Sequence, residues 1–272
     1  MTVDIADLDG QVAIITGGSV GLGRSMALAL TARGARVAIA SPQTALLHEV
    51  VSEITGRHGA GRAIAISTDI TNKSQCEALV GRTIDAFGDL SILINNARRE
   101  QRGPGLPAYG NSLPFWESDP DIWVQAVNVN VCGTFLMTRA AAPHLMRRGW
   151  GRIINISTSL DTMQARNNSP YGVTKAAVDT ASIIWAKDLA GTGVTVNILL
   201  PGGMVDTDGL RPSTPERPTL HVDVMNETLL WLLSPAADNV TGERFVGRHW
   251  RNDLPHEQAA VLAREAPVLR ST

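Results

Sequence analysis

The chain has 272 residues; 24 are Lys or Arg and 26 are Asp or Glu, for a formal net charge of −2. That balance offers no surplus of positive charge to draw the chain to nucleic acid or to an anionic membrane surface, and neither partner is expected. Hydrophobic residues make up 44% and charged residues 18%, which is apolar side chain enough for a sizeable core and argues against disorder.

In chain order, a short β-branched run followed by a longer amphipathic stretch recurs several times. Val12–Thr16 predicts a buried strand, and the pattern then predicts a helix from Leu22 to Arg33, ended by Gly34. Arg36–Ala40 predicts a second strand and Gln43–His58 a helix that stops near Gly59 and Gly61. Ala63–Ser67 is a third strand, with a helix from Asn72 to Phe87 that Asn72 or Thr71 can cap and Gly88 can end. Ser91–Asn95, Arg152–Ile156 and Val194–Leu200 complete the predicted strands. Strands this apolar, without clean alternation, are buried on both faces, and strand–helix alternation points to right-handed βαβ units in a doubly wound parallel sheet. No linker or composition shift divides the chain, so a single domain over 1–272 is expected.

Two stretches are too rich in Pro and Gly for regular structure, 98–120 and 201–218. Both follow a strand's C-terminal end, where open α/β sheets bind ligands, which makes them candidate substrate walls, with 201–222 the substrate loop. Trp116, in the first, is the candidate substrate-facing aromatic. Residues 248–272 extend beyond the core, with a short helix possible over 257–265. Cys76 and Cys132 are far apart, and the six histidines show no ligand spacing, so neither a disulfide scaffold nor a metal site is expected. The acidic start, residues 1–7, is not a secretory signal, and no apolar run approaches the roughly 18 residues of a membrane span, so a cytoplasmic protein is expected.

The turn after the first strand reads Thr16-Gly17-Gly18-Ser19-Val20-Gly21-Leu22-Gly23. Glycines there turn the chain sharply, let a diphosphate approach the backbone and let helix pack on strand, while the helix's first amides face the phosphates. Further on, Tyr171 and Lys175 stand four residues apart, on one face of a helix. A fixed ammonium beside a phenol favours the phenolate and suits it to proton transfer near neutrality.

Taken together and in order, these motifs resemble the short-chain dehydrogenase/reductase family, whose nucleotide loop reads Thr-Gly-x-x-x-Gly-x-Gly. The resemblance runs over roughly residues 8 to 246. It includes Asp69 after the third strand, Asn95-Asn96-Ala97 with Arg98 where glycine is usual, Asn130, Tyr171-Gly172-Val173-Thr174-Lys175, and Pro201-Gly202. It implies a Rossmann-like sheet of about seven strands flanked by helices, NADP or NAD as cofactor, and a carbonyl or secondary alcohol as substrate. Cofactor contacts are then expected from Gly17, Ser19, Val20, Gly21, Leu22, Gly23 and Ser41, from Asp69, Ile70, Asn96 and Ala97, and from Tyr171, Lys175, Pro201, Gly202 and Thr207. Tyr171 would be the general acid/base, Lys175 would hold the nicotinamide ribose, and Asn130 would anchor a water relay to it.

The family's substrate-binding hydroxyl has two candidates. Counting thirteen residues back from Tyr171 gives Thr158, whereas serine as the usual residue gives Ser159, to which the choice leans. At the end of the second strand, Ala40-Ser41-Pro42-Gln43 offers neither the carboxylate that suits NAD nor a base for NADP, and Val20 is also neutral. Absence of the carboxylate leans the choice to NADP. The resemblance also implies a homodimer or homotetramer through the helices near 119–148 and 169–191. A non-catalytic NAD(P)-sensing module of the same fold is the alternative, motivated by Arg98 and the divided hydroxyl. A sugar-nucleotide epimerase or dehydratase fits less well, since those generally carry Gly-x-x-Gly-x-x-Gly and a longer C-terminal substrate domain.

Overall fold

The computed structural model describes residues 7–99, 113–207 and 218–266. Within them the strands are β1 (Val12–Thr16), β2 (Arg36–Ser41), β3 (Ala63–Ser67), β4 (Ile92–Asn95), β5 (Gly151–Ile156), β6 (Val194–Leu200), β7 (Arg244–Val246) and β8 (Arg264–Glu265). They form one sheet in the order β3-β2-β1-β4-β5-β6-β7-β8. Pairings are parallel from β3 through β7, and β8 lies antiparallel on β7. The strand order therefore reverses beside β1, which has β2 on one side and β4 on the other.

Successive β1 residues feed two cores. Ala13 and Ile15 pack with Met26, Leu30 and Leu47 on one face. Val12 and Ile14 pack with Leu79, Met137 and Leu145 on the other. Since both faces are covered, both sets of alternating side chains are apolar, which is why the strands show no polar period.

The helices are α1 (Gly21–Ala32), α2 (Thr44–His58), α3 (Lys73–Phe87), α4 (Pro120–Val127), α5 (Thr134–Arg148), α6 (Leu160–Met163), α7 (Tyr171–Asp188), α8 (Asn226–Leu232) and α9 (His256–Ala263). Cap chemistry sets several of their ends. The Asn72 side chain accepts from Gln75 N, and Gly88 closes α3 in the left-handed region. Asp119 caps α4 by accepting from Asp121 N and Ile122 N. Between α4 and α5 the backbone winds as a π turn over Asn128–Gly133. Such turns insert one residue and rotate the side chains around them, and they gather at functional sites.

The sheet has two strands more than the six the sequence pattern places, and one more than the seven or so the resemblance implies. Strands of three and two residues carry no period, so β7 and β8 leave no pattern to find. The tail helix ends at Ala263, earlier than the 257–265 span, because Arg264 and Glu265 pair with Phe245 and Arg244 instead. The ends of the 201–222 segment are clasped to each other by Leu220 N donating to Met204 O at 2.7 Å and Asp206 N donating to Leu220 O at 3.2 Å. Residues 208–217 of that segment and 100–112 of the other loop lie outside the described residues. Among the described residues, no helix is long and apolar enough to cross a membrane.

Candidate active site

At the reversal point, the turn leaving β1 is locked to the end of β4. Thr16 Oγ1 accepts from Asn96 N at 3.0 Å and Ala97 N at 3.1 Å. The Asn96 side-chain amide returns two bonds, to Thr16 O and Gly17 O, both at 3.0 Å. Gly17 adopts φ +65°, in the left-handed region. At Gly23 a Cβ would stand 2.1 Å from the Gly17 carbonyl oxygen, so only glycine lets α1 begin this close to the turn. Asn95 points elsewhere, donating to Asn155 Oδ1 at 2.8 Å and Thr138 Oγ1 at 3.0 Å, and so fixes β4 against β5 and α5.

Above this turn lies a cleft of about 450 Å³. Its floor is Gly17, Ser19, Val20, Gly21, Leu22 and Gly23. Ser41 after β2, Asp69 and Ile70 after β3, and Asn96 and Ala97 after β4 line its sides. Thr207 closes it over Gly21, where an added Cβ would meet the Thr207 Cβ at 2.9 Å. The Ser19 hydroxyl donates to Ser41 Oγ and Gln43 Oε1, each at 3.3 Å, so the β2 end of the cleft is a neutral polar cluster. A glycine floor with the first turn of α1 facing it fits the diphosphate of a dinucleotide, since uncapped helix amides favour an anion.

Tyr171, Lys175, Pro201 and Gly202 are not in the lining of this cleft. Tyr171 opens α7 and is partly exposed, while Lys175 is buried one turn on. Lys175 Nζ donates to Ile156 O at 2.7 Å and lies 5.8 Å from the centre of the Tyr171 ring. Asn130 sits in the π turn, fully buried. Its amide donates to Thr174 Oγ1 and to Arg99 O, both at 2.9 Å, and its carbonyl oxygen accepts from Arg99 N at 2.7 Å. Thr174 Oγ1 in turn donates to Tyr171 O at 2.8 Å, so Asn130 ties the start of α7 to the chain leaving β4.

The family profile described as short chain dehydrogenase matches residues 11–218. The chain belongs to that family. It is 39% identical over 202 residues to a short-chain type dehydrogenase/reductase of Picea abies, covering 72% of this chain and 71% of the relative. It is 32% identical over 247 residues to a 3-oxoacyl-[acyl-carrier-protein] reductase of Synechocystis, covering 88% and 95% respectively. Among solved structures it is similar to a 3-ketoacyl-(acyl-carrier-protein) reductase from Brucella melitensis complexed with NADH. That likeness has a TM-score of 0.76 and 29% identity over 87% of this chain and 96% of the other.

Within this member of the family, the two candidate hydroxyls are differently engaged. Ser159 caps α6: its Oγ accepts from Thr162 N at 3.3 Å and shares a 2.8 Å bond with Thr162 Oγ1. Thr158 is buried at the end of β5, and its carbonyl accepts from Arg244 Nη2 at 2.5 Å. Pro201 and Gly202 are held instead by the C-terminal extension, Arg248 N donating to Pro201 O at 3.1 Å and Arg248 Nη1 to Gly202 O at 2.9 Å. Trp116 is exposed, edge to face with Phe115 at 5.1 Å, in a shallow recess beside Met163 and Val173 and apart from the cleft.

Sequence reasoning missed Thr68, Arg99 and Val129 in the cleft and Thr174 beneath Asn130. Each neighbours a motif residue, and adjacency was the only signal available. Arg98, noted in sequence only as a departure from glycine, lines the cleft as well.

Proposed function

We propose that this chain is a nicotinamide-dependent oxidoreductase that interconverts a carbonyl and a secondary alcohol. The observation that carries the reading is the fixed ammonium: Lys175 Nζ is anchored on the Ile156 carbonyl and stands 5.8 Å from the Tyr171 ring, on the helix that Asn130 ties to the β4 end of the glycine-floored cleft. A bound nicotinamide supplies the hydride acceptor or donor. The glycine turn, Asp69, Ile70, Asn96, Ala97 and Thr207 hold its adenosine and diphosphate, and Lys175 the nicotinamide ribose. Tyr171 gives its phenolic proton to the substrate oxygen in reduction and takes one back in oxidation. The nearby cation offsets the negative charge left on the phenol oxygen in that exchange. Asn130 keeps the start of α7 in register with the cleft and anchors the water relay to Lys175.

Thr158 is the hydroxyl that donates to the substrate oxygen, since Ser159 is committed to Thr162 at the head of α6. The 201–222 segment is the substrate loop, pinned at both ends by the Met204–Leu220 clasp. NADP is the preferred cofactor: Ser41 and Gln43 form an uncharged pocket end with no carboxylate to repel a 2′-phosphate.

The test is Tyr171→Phe assayed beside wild type over a panel of ketones and secondary alcohols, with NADPH and NADH affinities titrated separately. The phenol-less variant keeps cofactor affinity and loses roughly a hundred- to ten-thousand-fold in turnover. Equal turnover in the two proteins refutes the role of Tyr171. Cofactor binding with no turnover of any panel compound by wild type favours the sensing module.

A further inference from the structure

Arg244 is 1% exposed, and a guanidinium is seldom buried so completely without cause. It projects from β7, next to β6, and reaches past that strand to the end of β5. There Nη2 donates to the Thr158 carbonyl at 2.5 Å. Its Nε lies 3.5 Å from Asp179 Oδ2 on α7 and 3.3 Å from Glu265 Oε2 on β8. Asp179 follows Lys175 by one helical turn and is itself 1% exposed. Burial raises the Asp179 carboxyl above its ordinary range, opposed by the nearby Ser157 hydroxyl, Arg244 and Lys175. Two carbonyls at the end of β5 are therefore each held by a buried cation: Ile156 by Lys175 at 2.7 Å and Thr158 by Arg244.

We infer that Arg244, braced by Asp179 and Glu265, is a positioning residue that fixes the Thr158 turn and so the aim of its hydroxyl at the substrate oxygen. The inference rests on the oxidoreductase reading. It gives the C-terminal segment a role, because β8 supplies one of the two carboxylates. Stability alone does not explain the group. Taking two charges out of water is costly, and well-packed apolar replacements of buried pairs are often as stable. What an apolar pair cannot do is hold a carbonyl at a fixed point beyond the last strand residue.

That difference supplies the test. The double variant Arg244→Met/Asp179→Leu removes the two fully buried charges together and keeps the volume; Glu265 is left half-exposed to water, and Lys175 keeps its bond to Ile156 O. It is expected to melt near wild type, to bind NADPH with unchanged Kd, and to lose roughly a hundredfold in kcat, as misplaced catalytic groups do. Amide exchange over residues 155–163 is expected to quicken at least about tenfold while 226–232 stays unchanged. Wild-type kcat, or unaltered exchange at 155–163, overturns the inference. Wild type and Tyr171→Phe run alongside; a wild type inactive on every compound refutes the oxidoreductase reading, and the exchange measurement then decides Arg244 by itself. Should the double variant not fold, Arg244→Lys keeps a cation near Asp179 but cannot span to Thr158. The same loss of kcat and quickened exchange are then expected of it, and their absence overturns the inference equally.

Discussion

At the scale of single residues, the site depends on a few positions that tolerate no substitute for steric or electrostatic reasons. Gly23 is the clearest steric case. A methyl placed there meets the Gly17 carbonyl at 2.1 Å, and because the obstacle is backbone, relief requires α1 or the turn to move. Gly23→Ala is expected to cost about 1–3 kcal/mol of stability and to weaken cofactor binding more than a surface Gly→Ala such as Gly56→Ala, where nothing lies within 4 Å. Thermal melts with paired cofactor titrations check this; equal affinities in the two variants contradict it. The electrostatic case is the Tyr171–Lys175 pair. Both residues and their spacing were legible in the sequence, since four residues on a helix set side chains face to face. The anchor of Lys175 on Ile156 O was not, because it joins α7 to β5 across nineteen residues of chain with no local pattern.

At the scale of elements, strands and long helices were readable because each is governed by its own period and caps. Asn72 and Gly88 begin and end α3 as their chemistry dictates. The π turn at Asn128–Gly133 was hidden, since nothing in Val127-Asn128-Val129-Asn130 separates it from ordinary helix; tertiary pull on Asn130 by Arg99 and Thr174 makes the difference visible. The choice between Thr158 and Ser159 was likewise undecided in sequence, because it turns on where β5 stops and α6 takes its cap. Helices α4, α5 and α7 leave Val124, Phe135, Val173 and Ile184 about half exposed. We propose that these helices meet a second copy of the chain. Light scattering is expected to give a dimer or tetramer, and charged replacements at Phe135 and Ile184 to lower the mass; a wild-type monomer at micromolar concentration refutes the interface.

At the scale of the whole molecule, the sheet order brings together segments remote in sequence. The reversal beside β1 sets the glycine turn against Asn96, and the run from β4 through β7 delivers Thr158, Lys175 and Arg244 to neighbouring strand ends. Alternation of strand and helix was sufficient to foresee a doubly wound parallel sheet, because parallel strands with right-handed crossovers leave few alternatives, but it did not give the place of β7 or of Arg244. It could not foresee β8, whose two residues gain their place only by pairing with β7. The proposed proton chemistry rests on one phenol, Tyr171, of the two tyrosines in the chain. Single-turnover reduction of a panel ketone is therefore compared in wild type, Tyr171→Phe, Lys175→Met and the double variant. Each single variant is expected to lose roughly a hundredfold or more, and the double variant to lose little beyond the worse single one, as residues that act as a unit do. Losses that multiply in the double variant, or wild-type turnover in either single one, would contradict the pairing of phenol and ammonium on which the proton chemistry rests.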